Sequence, residues 1–166
     1  MVKVHVMVGV AASGKTTQSK IVAKNENATR ISSDDIRLGL IYDGTLDVNT
    51  AFAPDGFARV AQIMHDRAVE LVRDGKNVLL DAQHIKIKNR KAIFDALANF
   101  DCYYIAHVMM TDKDECERRH KQRLMGDNNG YPFPVPQRKT FEERFALFVM
   151  PTKGEGFDEI RYYGEK

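Results

Sequence analysis

Apolar and polar positions follow two rhythms along this chain. Val2–Val8, Ala28–Ser32, Asn77–Asp81 and Cys102–Met110 are short, mainly apolar runs bounded by turn residues, which predicts buried strands. Between them the spacing widens to that of helices, over Lys15–Asn25, Asp34–Ile41, Lys88–Asn99 and Asp112–Leu124. The longest predicted helix opens at Pro54 and runs to about Asp74. Phe57, Val60, Ala61, Met64, Ala68, Leu71 and Val72 recur on one side of it, and Gly75 stands just past its end. Asp43–Ala53 has turn chemistry, and Gly126–Pro136 is a loop rich in Gly, Asn and Pro. Gln137–Val149 predicts a further helix and Asp158–Tyr163 a last strand. Strands alternating with helices predict an α/β fold, a mainly parallel sheet of four to five strands flanked by helices. Ligands of such sheets bind beyond the C-terminal strand ends, which directs the reading to the residues after Val8, Ser32, Leu80 and Met110.

A length of 166 residues suits one domain over 1–166. Hydrophobic residues at 43% and charged residues at 29% describe a soluble globular protein. The net charge of +2 gives no broad basic coat, yet permits a small basic site. No apolar run reaches the ~20 residues of a membrane helix. The apolar N-terminus carries Lys3 and His5 and leads into a glycine motif, so it reads as a strand and not a secretory signal. Cys102 and Cys116 lack metal-ligand spacing and read as free thiols in a reducing cytoplasm. There is no internal repeat or low-complexity stretch.

Gly9-Val10-Ala11-Ala12-Ser13-Gly14-Lys15-Thr16 fits G-x-x-x-x-G-K-[ST], a phosphate-binding loop, between a predicted strand and a predicted helix. The glycines let backbone N–H groups face a phosphate at the start of the next helix, with Gly9, Ala12, Ser13, Gly14, Thr16 and Thr17 as candidate nucleotide-binding residues. Lys15 would reach the β- and γ-phosphates, and the Thr16 hydroxyl would ligate Mg²⁺. This predicts binding of ATP or another nucleoside triphosphate.

Three further places carry chemistry. A helix descends and a strand climbs back by a similar length, which returns Asp34 to the level of the phosphate loop, where a kinase needs a carboxylate to orient an attacking hydroxyl. Arg37, three residues on, shares its side if the segment is helical. The alternative is that Ser33 or Asp34 only caps the helix. Asp81 ends the third strand, as an acid that holds Mg²⁺ does, or else positions a substrate group. Gln83, His84 and Arg90 follow it. Arg119 and Arg123 lie four apart on a charged helix before Gly126-Asp127-Asn128-Asn129-Gly130. A hinged lid of about 112–136 would set those arginines over a transferring phosphoryl group; the alternative is local pairing, such as Glu115 with Arg119.

Taken together, the chain resembles the phage-type polynucleotide 5′-hydroxyl kinases, within the AAA_33-like P-loop kinases. The residues that carry the likeness are Gly9–Thr16, Asp34-Asp35-Ile36-Arg37, Asp81 with Arg90, Arg119-x-x-x-Arg123, Val135-Pro136, Phe148, Pro151 and Gly156–Ile160. The resemblance implies a P-loop NTPase kinase fold with a helical lid. It makes Asp34 the general base towards a 5′-OH, with Asp35 the alternative. Arg37 would grip the phosphate 3′ of the accepting nucleotide. Asp81 would support the site with Thr16 at the metal, and Arg123 would act on the transferring phosphate with Arg119 in support. ATP and Mg²⁺ are the implied cofactors and 5′-OH ends of DNA or RNA the implied partners. Ala11-Ala12 and Gln83-His84 depart from the family's usual residues. Two further readings stand beside this one: a small-molecule kinase acting on a nucleoside, sugar or antibiotic, and an ATP-dependent switch protein. The oligomeric state is left open.

Overall fold

The structure is a computed structural model and describes residues 1–126 and 128–164. Asp127 of the expected hinge lies outside the described residues.

Five strands, β1 (Val2–Val8), β2 (Ala28–Ser32), β3 (Asn77–Asp81), β4 (Cys102–Met109) and β5 (Glu159–Tyr163), form one sheet in the order β2-β3-β1-β4-β5. Every pairing is parallel. The helices are α1 (Lys15–Asn25), α2 (Ser33–Tyr42), α3 (Val48–Ala51), α4 (Pro54–Arg73), α5 (Ile87–Ala96), α6 (Lys113–Met125) and α7 (Phe141–Phe145). Side chains alternate across a strand, so β1 is buried on both faces. Val4, Val6 and Val8 join Val78 and Leu80 against Val60, Met64, Ala68 and Val72 of α4 and Ile93 of α5. Met7 and Leu79 point the other way, onto Val22 of α1. Ser32 pairs with Asp81 across β2 and β3, so both strands end at one level, beside the loop that follows β1. No described helix is long and apolar enough to cross a membrane.

The structure corrects the expected elements in four places. The turn region contains α3, because the Asp47 side chain accepts from the Thr50 N–H and starts a helical turn. Phe57 leaves the buried stripe of α4 and is 48% exposed. The helix expected to run to Asn99 ends at Ala96, with Leu97 as its C-cap. The helix expected over 137–149 shrinks to α7, since Thr140 and Glu143 form a capping box that fixes its start at Phe141.

Candidate active site

The loop after β1 is shaped by steric necessity. A Cβ on Gly9 would meet Ser13 Oγ at 2.7 Å and Met109 Cβ at 2.9 Å. Ala12 and Gly14 both take left-handed backbone conformations, with φ of 60° and 93°. Left-handed residues of this kind turn neighbouring N–H groups into an anion-binding concavity. The Gly9 N–H donates to Gln83 O at 2.9 Å, and the Thr111 hydroxyl donates to Ser13 O at 2.8 Å, which fastens the loop to the ends of β3 and β4. Ser13 Oγ and Lys15 Nζ both donate to Val10 O, at 2.8 and 2.7 Å. Burial holds the Lys15 ammonium down to about 8; Asp81 and then Asp34 oppose that shift, and Arg123 adds to it. Thr16 and Thr17 are exposed on the first turn of α1.

Beyond β2, the Ser32 hydroxyl caps α2 by accepting from the Asp35 N–H. The cap is thus Ser32, and the Asp34 side chain is left for other work. Asp34 and Arg37 face the same side, with Arg37 Nη1 donating to Asp34 Oδ1 at 2.9 Å. Arg37 is buried. Its Nε donates to Ala51 O at 3.2 Å, and its guanidinium carbon lies 5.1 Å from the ring centres of both Phe52 and Phe57. Tyr131, between α6 and α7, donates its hydroxyl to Asp34 Oδ1 at 2.8 Å. Burial, and then the neighbouring Asp34 charge, raises the ionisation of that phenol well above its ordinary value.

Asp81 at the end of β3 is buried. Its Oδ2 accepts from Ser19 Oγ at 2.7 Å and from Arg30 Nε and Nη2 at 2.8 and 2.6 Å. Arg30 Nη1 also lies 3.5 Å from Asp35, which is more exposed than Asp34. His84 is buried with a left-handed backbone, and its Nδ1 meets Met7 O at 2.9 Å. A carbonyl only accepts, so Nδ1 carries the proton; burial holds this imidazole down to about 4, and it is neutral. Arg90 is structural. It donates to Glu155 through Nε and Nη2 and to the carbonyls of His84 and Val149, and so straps the C-terminal segment to the sheet.

On α6, Asp112 caps the N-terminus, and Glu115 accepts from Arg118 and from Arg119, whose Nε lies 2.6 Å away. Those two partners hold the Glu115 carboxyl down to about 2. Arg119 therefore takes the local pairing that its spacing allowed. Arg123 is exposed on the last turn of α6. The segment after α6 docks on the far side of the site: Tyr131, Phe133 and Val135 pack with Ala51, Phe52 and Leu38.

The fold thus brings Lys15, Asp34, Arg37 and Asp81 to one edge of the sheet, with Thr16 and Thr17 at the loop's end and Arg123 exposed on α6. Three participants were missed from sequence. Arg30 is a charged residue within a strand run, which is a usable signal. Ser19 and Tyr131 carry none, because their partners are 62 and 97 positions away.

A family model described as AAA domain, AAA_33, matches residues 4–147. Among solved structures, a protein of Chloroflexus aurantiacus J-10-fl assigned as a kinase aligns with a TM-score of 0.79 at 15% identity, covering 97% of this chain and 86% of that one. Kti12 of Chaetomium thermophilum, in complex with ADP-AlF3, aligns at 0.70 and 15% identity, covering 96% and 88%. The APS kinase CysC of Mycobacterium tuberculosis, in complex with AMPPNP and APS, aligns at 0.63 and 17% identity, covering 99% and 90%. At these identities the likeness shows the fold, a parallel α/β sheet of the P-loop kinase type. No curated protein matches the chain.

Proposed function

The chain belongs to the AAA_33 family, and from that premise we propose that it is an ATP- and Mg²⁺-dependent kinase that phosphorylates the 5′-hydroxyl end of DNA or RNA. The observation that carries this reading is that a left-handed phosphate loop holding Lys15 follows β1, while the neighbouring β2 and β3 end level with each other in the Asp34–Arg37 pair, 2.9 Å apart, and in Asp81. A phosphoryl-transfer site needs a cation on the phosphates, a carboxylate towards the acceptor and a mobile positive charge opposite.

In this mechanism the loop N–H groups and Lys15 hold the triphosphate. Asp34 orients the 5′-hydroxyl and takes its proton as the oxygen attacks the γ-phosphorus. The bond to the β-bridging oxygen breaks in line, ADP leaves, and no enzyme-bound phosphoryl intermediate forms. Arg37, fixed beside Asp34, binds the next phosphate of the acceptor strand. Arg123 meets charge on the transferring group, while Arg119 stays paired with Glu115. Thr16 Oγ1 and the Asp81 carboxylate are hard oxygen donors, which suits Mg²⁺, and Asp81 commits only Oδ2 to Arg30 and Ser19 among the described residues. The bound ion would neutralise charge between the phosphates.

One observation favours the small-molecule alternative. Tyr131, Phe133 and Val135 pack with Ala51 and Phe52, and Tyr131 also reaches Asp34, which covers one side of that carboxylate. An acceptor side narrowed by that packing would suit a nucleoside or sugar better than a strand.

The deciding experiment incubates the protein with γ-labelled ATP, Mg²⁺ and a single-stranded 5′-OH oligonucleotide. Label on the oligonucleotide is expected. It should be absent with a 5′-phosphorylated control, lost in Lys15→Ala and reduced at least ~100-fold in Asp34→Asn, as for removal of a general base. No label with nucleotide binding intact overturns the polynucleotide reading and leads to nucleosides and sugars. Normal turnover of Asp34→Asn overturns the base.

A further inference from the structure

We propose that Tyr131 is a positioning residue, through which the lid segment holds Asp34 in the orientation that takes the acceptor's proton. The inference rests on the reading of Asp34 as the base and adds to it how that base is set.

The two oxygens of Asp34 are treated differently. Oδ1 receives two hydrogen bonds, from the Tyr131 hydroxyl at 2.8 Å and from Arg37 Nη1 at 2.9 Å. Oδ2 accepts none among the described residues, and the side chain is 67% exposed. An exposed carboxylate on a first helical turn rotates freely about its last torsion, whose wells are broad. Two donors on one oxygen remove that freedom and leave the other oxygen as the fixed acceptor of a hydroxyl proton. A misplacement of about 1 Å at such a site can cost ~100-fold in rate.

Tyr131 is itself held hard. It is buried, its ring meets Phe52 edge-on at 5.3 Å, and Arg37 Nη1 donates to its oxygen at 3.3 Å. Arg138 Nη2, further along the same segment, reaches Asn49 O at 3.4 Å. The segment that follows α6 therefore carries the hydroxyl that anchors the base, while α6 carries Arg123. One placement of this segment sets both ends of the reaction, the charge over the phosphate and the carboxylate under the acceptor. Without the Tyr131 hydroxyl, Asp34 would keep only Arg37 among the described residues, and its free oxygen would be poorly aimed.

The test is a double-mutant cycle of Tyr131→Phe and Asp34→Asn, with turnover and KM for ATP measured in all four proteins. Phenylalanine keeps the ring against Phe52, and a thermal melt checks that each variant is folded. The expected result is a 10- to 100-fold fall in kcat for Y131F, the cost of one charge-assisted hydrogen bond, with KM for ATP unchanged. In the Asp34→Asn background the same change should add no further loss, because Tyr131 acts through Asp34. An additive loss, or an unchanged kcat, overturns the proposal and leaves Tyr131 a packing residue. A rise in kcat also overturns it, since the hydroxyl would then occupy the acceptor's place. If the wild type labels no oligonucleotide, the acceptor reading fails separately. The cycle is then read on slow ATP hydrolysis, with water as acceptor and the same non-additivity expected.

Discussion

Arg37 carries a full charge yet is buried, and its neighbours account for that. Its donors meet Ala51 O, Asp34 Oδ1 and the Tyr131 hydroxyl, while Phe52 and Phe57 lie against its guanidinium. A planar fork between aromatic rings is a geometry that lysine cannot reproduce. Arg37→Lys should therefore leave buried acceptors unpaired, at about 1–3 kcal/mol, and weaken acceptor use by at least ~10-fold with nucleotide binding intact. Steady-state kinetics with the acceptor varied checks this, and an unchanged acceptor KM would remove Arg37 from the acceptor side. At this scale the loop around Lys15 and the pairing of Asp34 with Arg37 were legible, because a loop motif and a three-residue helical spacing are local facts. Tyr131 and Ser19 were not, because nothing near them in the chain reports what they touch.

Among the elements, the joint between α3 and α4 bears most directly on the site. Gly56 on α4 sits against α3 so closely that a Cβ would meet Thr50 O at 2.2 Å and Ala51 Cα at 2.7 Å. The same Ala51 presents the carbonyl that holds Arg37 Nε. Gly56→Ala is thus expected to cost about 1–3 kcal/mol through overpacking and, by displacing Ala51, to lower acceptor use more than ATP binding. Chemical denaturation read together with ATP titration checks both parts; a fully stable variant would show that the joint yields. The chain pattern found α4 but not this contact. Phe57 matched the spacing of the buried stripe, yet the α4 face it occupies borders Arg37 and solvent instead of the sheet. The helix over 137–149 was overdrawn for a related reason: apolar spacing continued, but the capping box at Thr140 set a later start.

Across the whole molecule, burial of neutral histidines makes stability depend on pH. Burial holds His5 and His84 down to about 4 and His107 down to about 3. His5 Nδ1 and His107 Nε2 are 2.9 Å apart, so that pair titrates together. In the unfolded chain these rings take protons near 6.5, whereas in the fold they resist until about 4. The unfolded state therefore binds more protons through that window, and stability falls as pH falls from about 6.5 to 4. The slope is on the order of 1.4 kcal/mol per pH unit for each ring that is fully withheld. Glu26, held down to about 2 by Arg161 and Lys3, contributes stability that is lost only below its ordinary value near 4.5, in a lower window. Urea unfolding at pH 7 and pH 5 should show the loss, and His107→Gln should shallow it. A flat profile between those values would mean that the rings are not buried in solution.

The amino-acid sequence by itself determined the alternation of strands and helices, the all-important first loop, and the levels at which Asp34 and Asp81 emerge. Those features follow from periodicities and spacings within one or two elements, which act through backbone geometry and hold wherever the chain lies. Only the tertiary structure decided which charges meet. Asp81 binds Arg30 and Ser19, Arg119 turns to Glu115, and Tyr131 crosses from the segment after α6 to Asp34. Hydrogen bonds and ion pairs act over a few ångströms of space, and it is the packing of the sheet, α3 and the segment after α6 that brings residues far apart in the chain within that reach.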